Sequence, residues 1–365
     1  MRYLFILLPL LYTAADAYLY WRVWQLMSAL PLWARVLVSV LYWVVSFALF
    51  ISIGLRDSGC PDALLGGLYR VGSVWLVLML YLLLFLAVLS LVKDFCSSMG
   101  NTLWWALGMS VLLMVGGYIR YKHPRVEKLD IVLDKPVESV RVVAISDVHL
   151  GYGTPCSALE RYVQLINAQK PDLILVVGDL IDNSVQPLRS APYDEWLRQL
   201  EAPMGVYMVP GNHEYISGID ASTTFVESAS IQMLRDSVVD LPCGLQLVGR
   251  DDRTNASRQS LSALLEQVDT SRPIVVMDHQ PYGLAMADLL GVDLQLSGHT
   301  HHGQVWPVSL LTDYMYEQSH GYRRWNRAHI YVSSGLSLWG PPFRIGTVSD
   351  MAVIEIRSSN LHNNQ

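Results

Sequence analysis

Four apolar runs in the first third of the chain limit its folding more than any other feature. They cover Tyr3–Tyr20, Leu37–Ile53, Val71–Val92 and Leu103–Tyr118. Each approaches or exceeds the roughly 17–20 residues needed to cross the hydrocarbon of a bilayer. Residues 1–118 hold ten charged residues and no Glu. Buried helices of a soluble bundle would need charged outer faces, and these runs have none. Tyr18, Tyr20, Trp21, Trp33, Trp75, Trp104 and Trp105 lie near the run ends, as interfacial aromatic anchors do. The reading is an all-α transmembrane region of about four helices over 1–118. Asp16 falls inside the first run. A polar contact between helices, or a helix end near the interface, accounts for it; an ion or proton site is the alternative. Arg2, the first apolar run and Ala15-Asp16-Ala17 also fit a cleavable signal peptide, which would leave three spans.

Charge sets the orientation. With four spans the N-terminus, the 54–70 loop and the segment after 118 share one side. That side carries Arg2, Arg56, Arg70, Arg120, Lys122, Arg125 and Lys128, against Arg22, Arg35 and Lys93 on the other. The excess places everything after the last span in the cytoplasm, and cleavage after Ala17 would not change this.

From about Arg120 the composition becomes that of a soluble protein. A basic linker with Pro124 is expected over 119–127; it can lie on anionic headgroups or simply fix topology. A folded domain is expected over 128–357 and a polar tail over 358–365. The net charge of −6 argues against a general nucleic-acid binder. Cys60, Cys96, Cys156 and Cys243 form no CxxC pair and read as free thiols in a reducing compartment.

Within 128–357 short apolar strands alternate with helical segments. Strands are expected at 128–132, 140–145, 173–177, 206–209, 245–249, 274–277, 294–296, 330–332 and 351–356. Helices are expected at 157–169, 193–200 and 260–267. Continuous apolar strands between helices imply an α/β core with sheets covered on both faces.

Five of these strands stop at polar residues of one chemical kind. In order they present Asp147 and His149, Asp179, Asn212 and His213, His279, and His299 and His301. Strand ends of an α/β sheet converge, so residues far apart in sequence can meet there. Imidazole, carboxylate and amide oxygen together suit two divalent ions. Asp147, His149 and His301 would hold one, and Asn212, His279 and His299 the other. Asp179 would bridge them, because a carboxylate has two oxygens and offsets two cations. Such a pair binds a phosphoryl group, generates a bound hydroxide near neutral pH and stabilises in-line displacement. His213 is free to steady the phosphoryl oxygens or to protonate the leaving group.

The ordered set Asp147-x-His149, Gly178-Asp179, Gly211-Asn212-His213-Glu214, His279 and Gly298-His299-Thr300-His301 resembles the calcineurin-like metallophosphoesterase family. It is most similar to a bacterial branch with N-terminal membrane segments. The resemblance implies a double-sheet αββα sandwich over roughly 128–357 and a dinuclear centre of manganese, iron or zinc. It implies a metal-dependent hydrolase of phosphomonoester, phosphodiester or pyrophosphate bonds in a multi-pass protein of a bacterial inner membrane, its catalytic domain cytoplasmic. The anchor makes a lipid-linked substrate attractive, with membrane lipids as partners. The alternative is a non-catalytic scaffold or regulatory module for the membrane region; another is a transporter or sensor that the cytoplasmic domain regulates. His302 departs from the branch, which often has a second Gly there. Arg344, in the Gly340-Pro341-Pro342 loop, is a candidate phosphate clamp or an ordinary ion-paired Arg. Glu214 either orients His213 or lies outside the site. Tyr314, Tyr316, Tyr322 and Trp325, with Arg323 and Arg324, form either a lip or a packed loop.

Overall fold

The computed structural model describes residues 4–93 and 100–359. Its chain falls into two units, one of Met1–Ile119 with Gly340–Pro342, the other of Arg120–Trp339 with Phe343–Gln365. Cys96 lies outside the described residues, as does the tail beyond Ser359. Cys60, Cys156 and Cys243 are free thiols.

The first unit is helical: α1 (Leu4–Leu26), α2 (Leu32–Gly54), α3 (Asp62–Lys93) and α4 (Thr102–Tyr121). Among the described residues three helices are long and apolar enough to cross a membrane: α2, residues Asp62–Val92 of α3, and α4. The expected fourth, α1, is not among them. It carries Pro9, Asp16 and Arg22. Asp16 is fully buried. Its carboxylate accepts from the Trp75 indole N–H at 3.0 Å, and Tyr42 donates to its backbone carbonyl at 2.8 Å. That is the polar contact between helices expected for it. Gly72 lets α2 and α3 approach closely, since a Cβ there would lie 2.1 Å from the Leu49 amide nitrogen.

Among its described residues the second unit has twelve strands. They are β1 (Arg125–Leu133), β2 (Val140–Ile145), β3 (Leu173–Val177), β4 (Val206–Val209), β5 (Gln232–Met233) and β6 (Ser237–Asp240). Next come β7 (Gln246–Gly249), β8 (Ile274–Met277), β9 (Leu294–Ser297), β10 (Gly321–Trp325), β11 (Ala328–Val332) and β12 (Asp350–Ser358). The helices are α5 (Cys156–Asn167), α6 (Tyr193–Leu197), α7 (Asn212–Ile216), α8 (Ile219–Ser228), α9 (Leu261–Leu265), α10 (Leu284–Leu289) and α11 (Val308–Met315).

The strands form two mixed six-stranded sheets, ordered β1-β12-β2-β3-β4-β5 and β10-β11-β9-β8-β7-β6. In the first sheet only the β12–β2 pair is antiparallel; in the second the β10–β11 and β6–β7 edge pairs are. The period-2 side-chain rule explains the continuous apolar strands. On β2, Val142 and Ala144 pack into a core shared with Leu247, Met277 and Leu296 of the second sheet. Val143 and Ile145 point the other way, against Leu159, Tyr162 and Val163 of α5. On the far face of the second sheet Val248 and Val276 meet Leu261, Leu264 and Ala287 of α9 and α10. The layers are therefore helix, sheet, sheet, helix, as expected.

The expected linker 119–127 is mostly regular structure. α4 runs through Tyr121 and β1 starts at Arg125, so only residues 122–124 connect them. β1 is an edge strand; Lys128, Asp130 and Val132 alternate along its solvent side, and the exposed Arg125 sits at its start. The tail also begins later than expected, because β12 extends through Ser358.

Candidate metal centre

The parallel strands β2, β3, β4, β8 and β9 end at one edge of the sandwich, and each delivers its polar residues immediately beyond its last apolar one. The turns that do this are strained. Asp147, His149, Asp179, His299 and His301 all have φ between 48° and 71°. Non-glycine residues in that region cost about 1–3 kcal/mol each and persist where the surroundings over-determine them. Here backbone bonds do so: Asp147 N–H donates to Gly178 O at 3.1 Å, and His149 N–H to Asp179 O at 3.0 Å. Two glycines leave the necessary room. A Cβ on Gly211 would sit 2.1 Å from Asp179 Oδ1, and one on Gly298 would sit 1.8 Å from Ser146 Oγ.

Three groups of ligand-type atoms converge: Asp147, His149 and His301; His149, Asp179 and His213; and Asp179, His279 and His299. Asp179 is common to the last two. Nε2 of His301 lies 3.4 Å from Asp147 Oδ1, and Nε2 of His279 lies 3.1 Å from Asp179 Oδ2. His149 Nε2 is 3.8 Å from both Asp147 Oδ1 and Asp179 Oδ2. Asp147, His149, Asp179 and His279 are buried. The Oδ1 atom of Asn212 is buried without a hydrogen-bond partner. An orphaned carbonyl oxygen is costly unless something positive meets it, so this atom and the His–carboxylate set fit a pair of divalent ions.

Surrounding bonds orient these donors. His279 Nδ1 lies 2.8 Å from the Val177 carbonyl, so Nδ1 is the donor there and Nε2 is turned to Asp179. Asp147 accepts from Ser146 Oγ and, at 3.0 Å, from His299 N–H. His213 N–H donates to Asp179 Oδ1 at 2.8 Å, and His213 Nδ1 contacts Asp182 O at 3.0 Å. Asp182 Oδ1 stands 3.5 Å from His149 Nδ1 and 3.4 Å from His213 Nδ1.

Burial opposes charge throughout the cluster, yet the carboxylates win at two imidazoles. Burial disfavours protonated His149, but Asp147 and Asp182 raise its pKa to about 10. His279 is raised well above the ordinary value, with Asp179 overcoming burial. Burial and then the neighbouring His279 push His299 down to about 4. Burial lowers His301 to about 3, with His149 adding to the effect against Asp147. Asp147 and Asp179 stay below the carboxylate range because these imidazoles outweigh burial. The carboxylates thus favour positive charge at His149 and His279, whereas burial keeps His299 and His301 neutral.

Two expectations change. Glu214 does not orient His213. It is buried, and its carboxylate accepts the backbone N–H of Asp179 and Ile181 at 3.0 Å each and of Gly211 at 2.7 Å. Burial first, and Asp179 second, raise it to about 7, held back by those N–H bonds. Arg344 is not placed as a phosphate clamp. It is fully buried and donates to the carbonyls of Ser334, His301 (2.7 Å), Ser337 (3.1 Å) and Gly335 (3.2 Å). It supports the loop that presents His301. Sequence reasoning also missed Asp182 and Ser146; the short spacing Asp179-x-x-Asp182 was the available signal for the first.

At the rim Tyr316 is 6.2 Å from the His299 ring and 5.1 Å from Tyr282, over which the Arg253 guanidinium lies at 4.3 Å. Trp339 approaches His213 at 6.5 Å. Trp325, by contrast, packs against the Leu284 and Ile330 cluster.

A family model for calcineurin-like phosphoesterases matches residues 140–303. An uncharacterized metallophosphoesterase of Helicobacter pylori is 32% identical over 251 residues, covering 67% of each chain. A transmembrane protein with metallophosphoesterase domain from Danio rerio is 31% identical over 70% of this chain and 62% of its own. The chain therefore belongs to the calcineurin-like metallophosphoesterases. It combines such a domain, with candidate metal-binding residues, and three helices able to span a membrane.

Proposed function

We propose that the chain is a membrane-anchored, dinuclear-metal phosphoesterase. The observation that carries this reading is Asp179, whose carboxylate reaches both His149 and His279 within a set of seven donors from five strand ends. Asp147, His149 and His301 would hold one ion and Asn212, His279 and His299 the other, with Asp179 placed to serve both. A pair of divalent ions held there, manganese, iron or zinc, would supply Lewis-acid polarisation of a phosphoryl group and a water of lowered pKa. The protein supplies the rest. Strained, buried turns hold the donors in place before substrate arrives. Burial disfavours the charged His213 ring, but Asp179 and Asp182 more than offset it and keep its pKa above the ordinary value. A protonated His213 can then give its proton to the departing oxygen.

The substrate class we favour is a lipid-linked phosphate ester, in a protein whose catalytic domain faces the cytoplasm of a bacterial inner membrane. Trp306, Val308, Leu310, Leu311, Tyr314 and Met315 are all exposed, Tyr314 to 89%. Large exposed apolar clusters on soluble surfaces mark contact sites, and this one leads directly into Tyr316 beside His299.

Hydrolysis of an aryl phosphodiester and an aryl phosphomonoester by the full chain in detergent tests the reading, with Mn²⁺, Zn²⁺ or chelator and an Asp179→Asn control. Turnover should require metal and Asp179. Absence of both turnover and bound metal would favour a non-catalytic scaffold.

A further inference from the structure

We propose that His302, Asp313 and His320 form a further divalent-cation site, separate from the seven-donor centre. The three residues come from different segments: the loop after β9, helix α11, and the loop before β10. Their ligand atoms lie within 4.8 Å of one another. His302 Nε2 is 3.4 Å from Asp313 Oδ1, and His320 Nδ1 is 3.9 Å from the same oxygen. A tetrahedral ion with bonds of about 2.0–2.1 Å has donor–donor edges of about 3.4 Å. One pair already has that separation and the other is half an ångström wide of it. Direct charge-assisted hydrogen bonds would be shorter, at about 2.7–2.9 Å.

Two further observations support a built site. His302 has φ 48°, a conformation that glycine adopts freely and that costs another residue about 1–2 kcal/mol. The chain nevertheless places an imidazole there, stacked on His320 with centroids 3.5 Å apart and planes 15° apart. The in-plane lone pairs of two stacked rings do not meet at one point, so sharing an ion requires one ring to turn out of the stack. Both also line a cavity of about 310 Å³ with Arg125, Glu127 and Tyr322, which gives a hydrated ion access. Ser319 bridges two of the donors when no ion is bound, donating to Asp313 and accepting from His320 Nδ1 at 3.0 Å, and a bound ion would replace these two hydrogen bonds.

Two imidazoles and one carboxylate select late first-row ions such as Zn²⁺ over Mg²⁺ or Ca²⁺. Three protein donors leave a fourth position for water or an anionic oxygen. The proposal does not rest on the phosphoesterase reading.

The test is equilibrium dialysis of the full chain in detergent against Zn²⁺ alone, with metal counted per chain. A parallel Co²⁺ titration would be followed by its visible absorption. Asp313→Asn combined with His320→Gln should bind one ion fewer than the unaltered chain and lose one component of the Co²⁺ spectrum. His302→Gln, a single change at a half-buried position, should do the same. Asp179→Asn should remove ions from the seven-donor centre and leave this component intact. Equal zinc content in the unaltered chain and in both site variants, with identical Co²⁺ spectra, would overturn the proposal.

Discussion

Glu214→Gln isolates the contribution of one buried carboxylate to the shape of the centre. Oε2 of Glu214 serves two N–H groups, those of Asp179 and Gly211, and Oε1 serves that of Ile181. Glutamine can keep its oxygen at the Oε2 position and save two bonds. Its amide nitrogen must then face the Ile181 N–H, donor against donor. The loss is one hydrogen bond to a charged group, about 1.5–3 kcal/mol. Taking about 2.8 kcal/mol, local opening of the Asp179–Ile181 turn becomes roughly 100-fold more frequent, at about 1.4 kcal/mol per decade. Amide hydrogen exchange of the full chain in detergent reads this directly. Peptides covering 178–182 should lose protection by about that factor, while β7 and β8 keep theirs. Metal affinity should fall with it, because Asp179 sits on the loosened turn. Unchanged exchange in 178–182 would refute the view that Glu214 holds the turn through its carboxylate.

Three other outcomes are expected from the same geometry. Gly298→Ala would force a Cβ onto Ser146 Oγ and within 2.4 Å of Asp147 Oδ2; bound metal measured by mass spectrometry should drop sharply, and a full complement would count against the packing argument. Arg344→Met removes the donor to the Ser334 and Ser337 carbonyls, while those of His301 and Gly335 keep the Gln304 and Asp350 N–H; at about 1–3 kcal/mol for each buried unmet group the thermal midpoint should fall by several degrees, and a shift of a degree or two would show that the guanidinium is dispensable. Asp251 accepts from Tyr215 at 2.6 Å, Asn255 at 2.9 Å and Arg235 at 3.1 Å. Burial raises its pKa, but these bonds outweigh burial and lower it. Its stabilisation is therefore present above the unfolded carboxyl pKa of about 3.9 and is lost as pH falls through the lower folded value; Asp251→Asn should flatten the acid limb of a stability–pH curve, and an unaltered limb would contradict this.

The residues of the centre were legible because buried strands in this fold are apolar on both faces. Val142–Ile145, Leu173–Val177 and Ile274–Met277 therefore stand out as unbroken runs, and the first polar residue past each is a strand-end residue. The illegible remainder depends on partners that sequence does not display. Glu214 and Arg344 bond almost wholly to backbone groups of distant turns. A glutamate after a histidine, or an arginine in a Gly-Pro loop, looks the same whether exposed or buried. Arg125–Glu127 looked like a linker because an edge strand with a solvent side is rich in charge.

The order of apolar runs, the α/β class and the donors available can be read from the sequence, since each rests on local period and on the polar residues just past a strand; the double-sheet sandwich is what the family resemblance implies. Only the tertiary structure decided which donors share a carboxylate, that five of them sit in left-handed turns, and that His302 meets Asp313 and His320. Those facts depend on how parallel strands from two sheets end at one edge, and such long-range convergence has no local period to betray it.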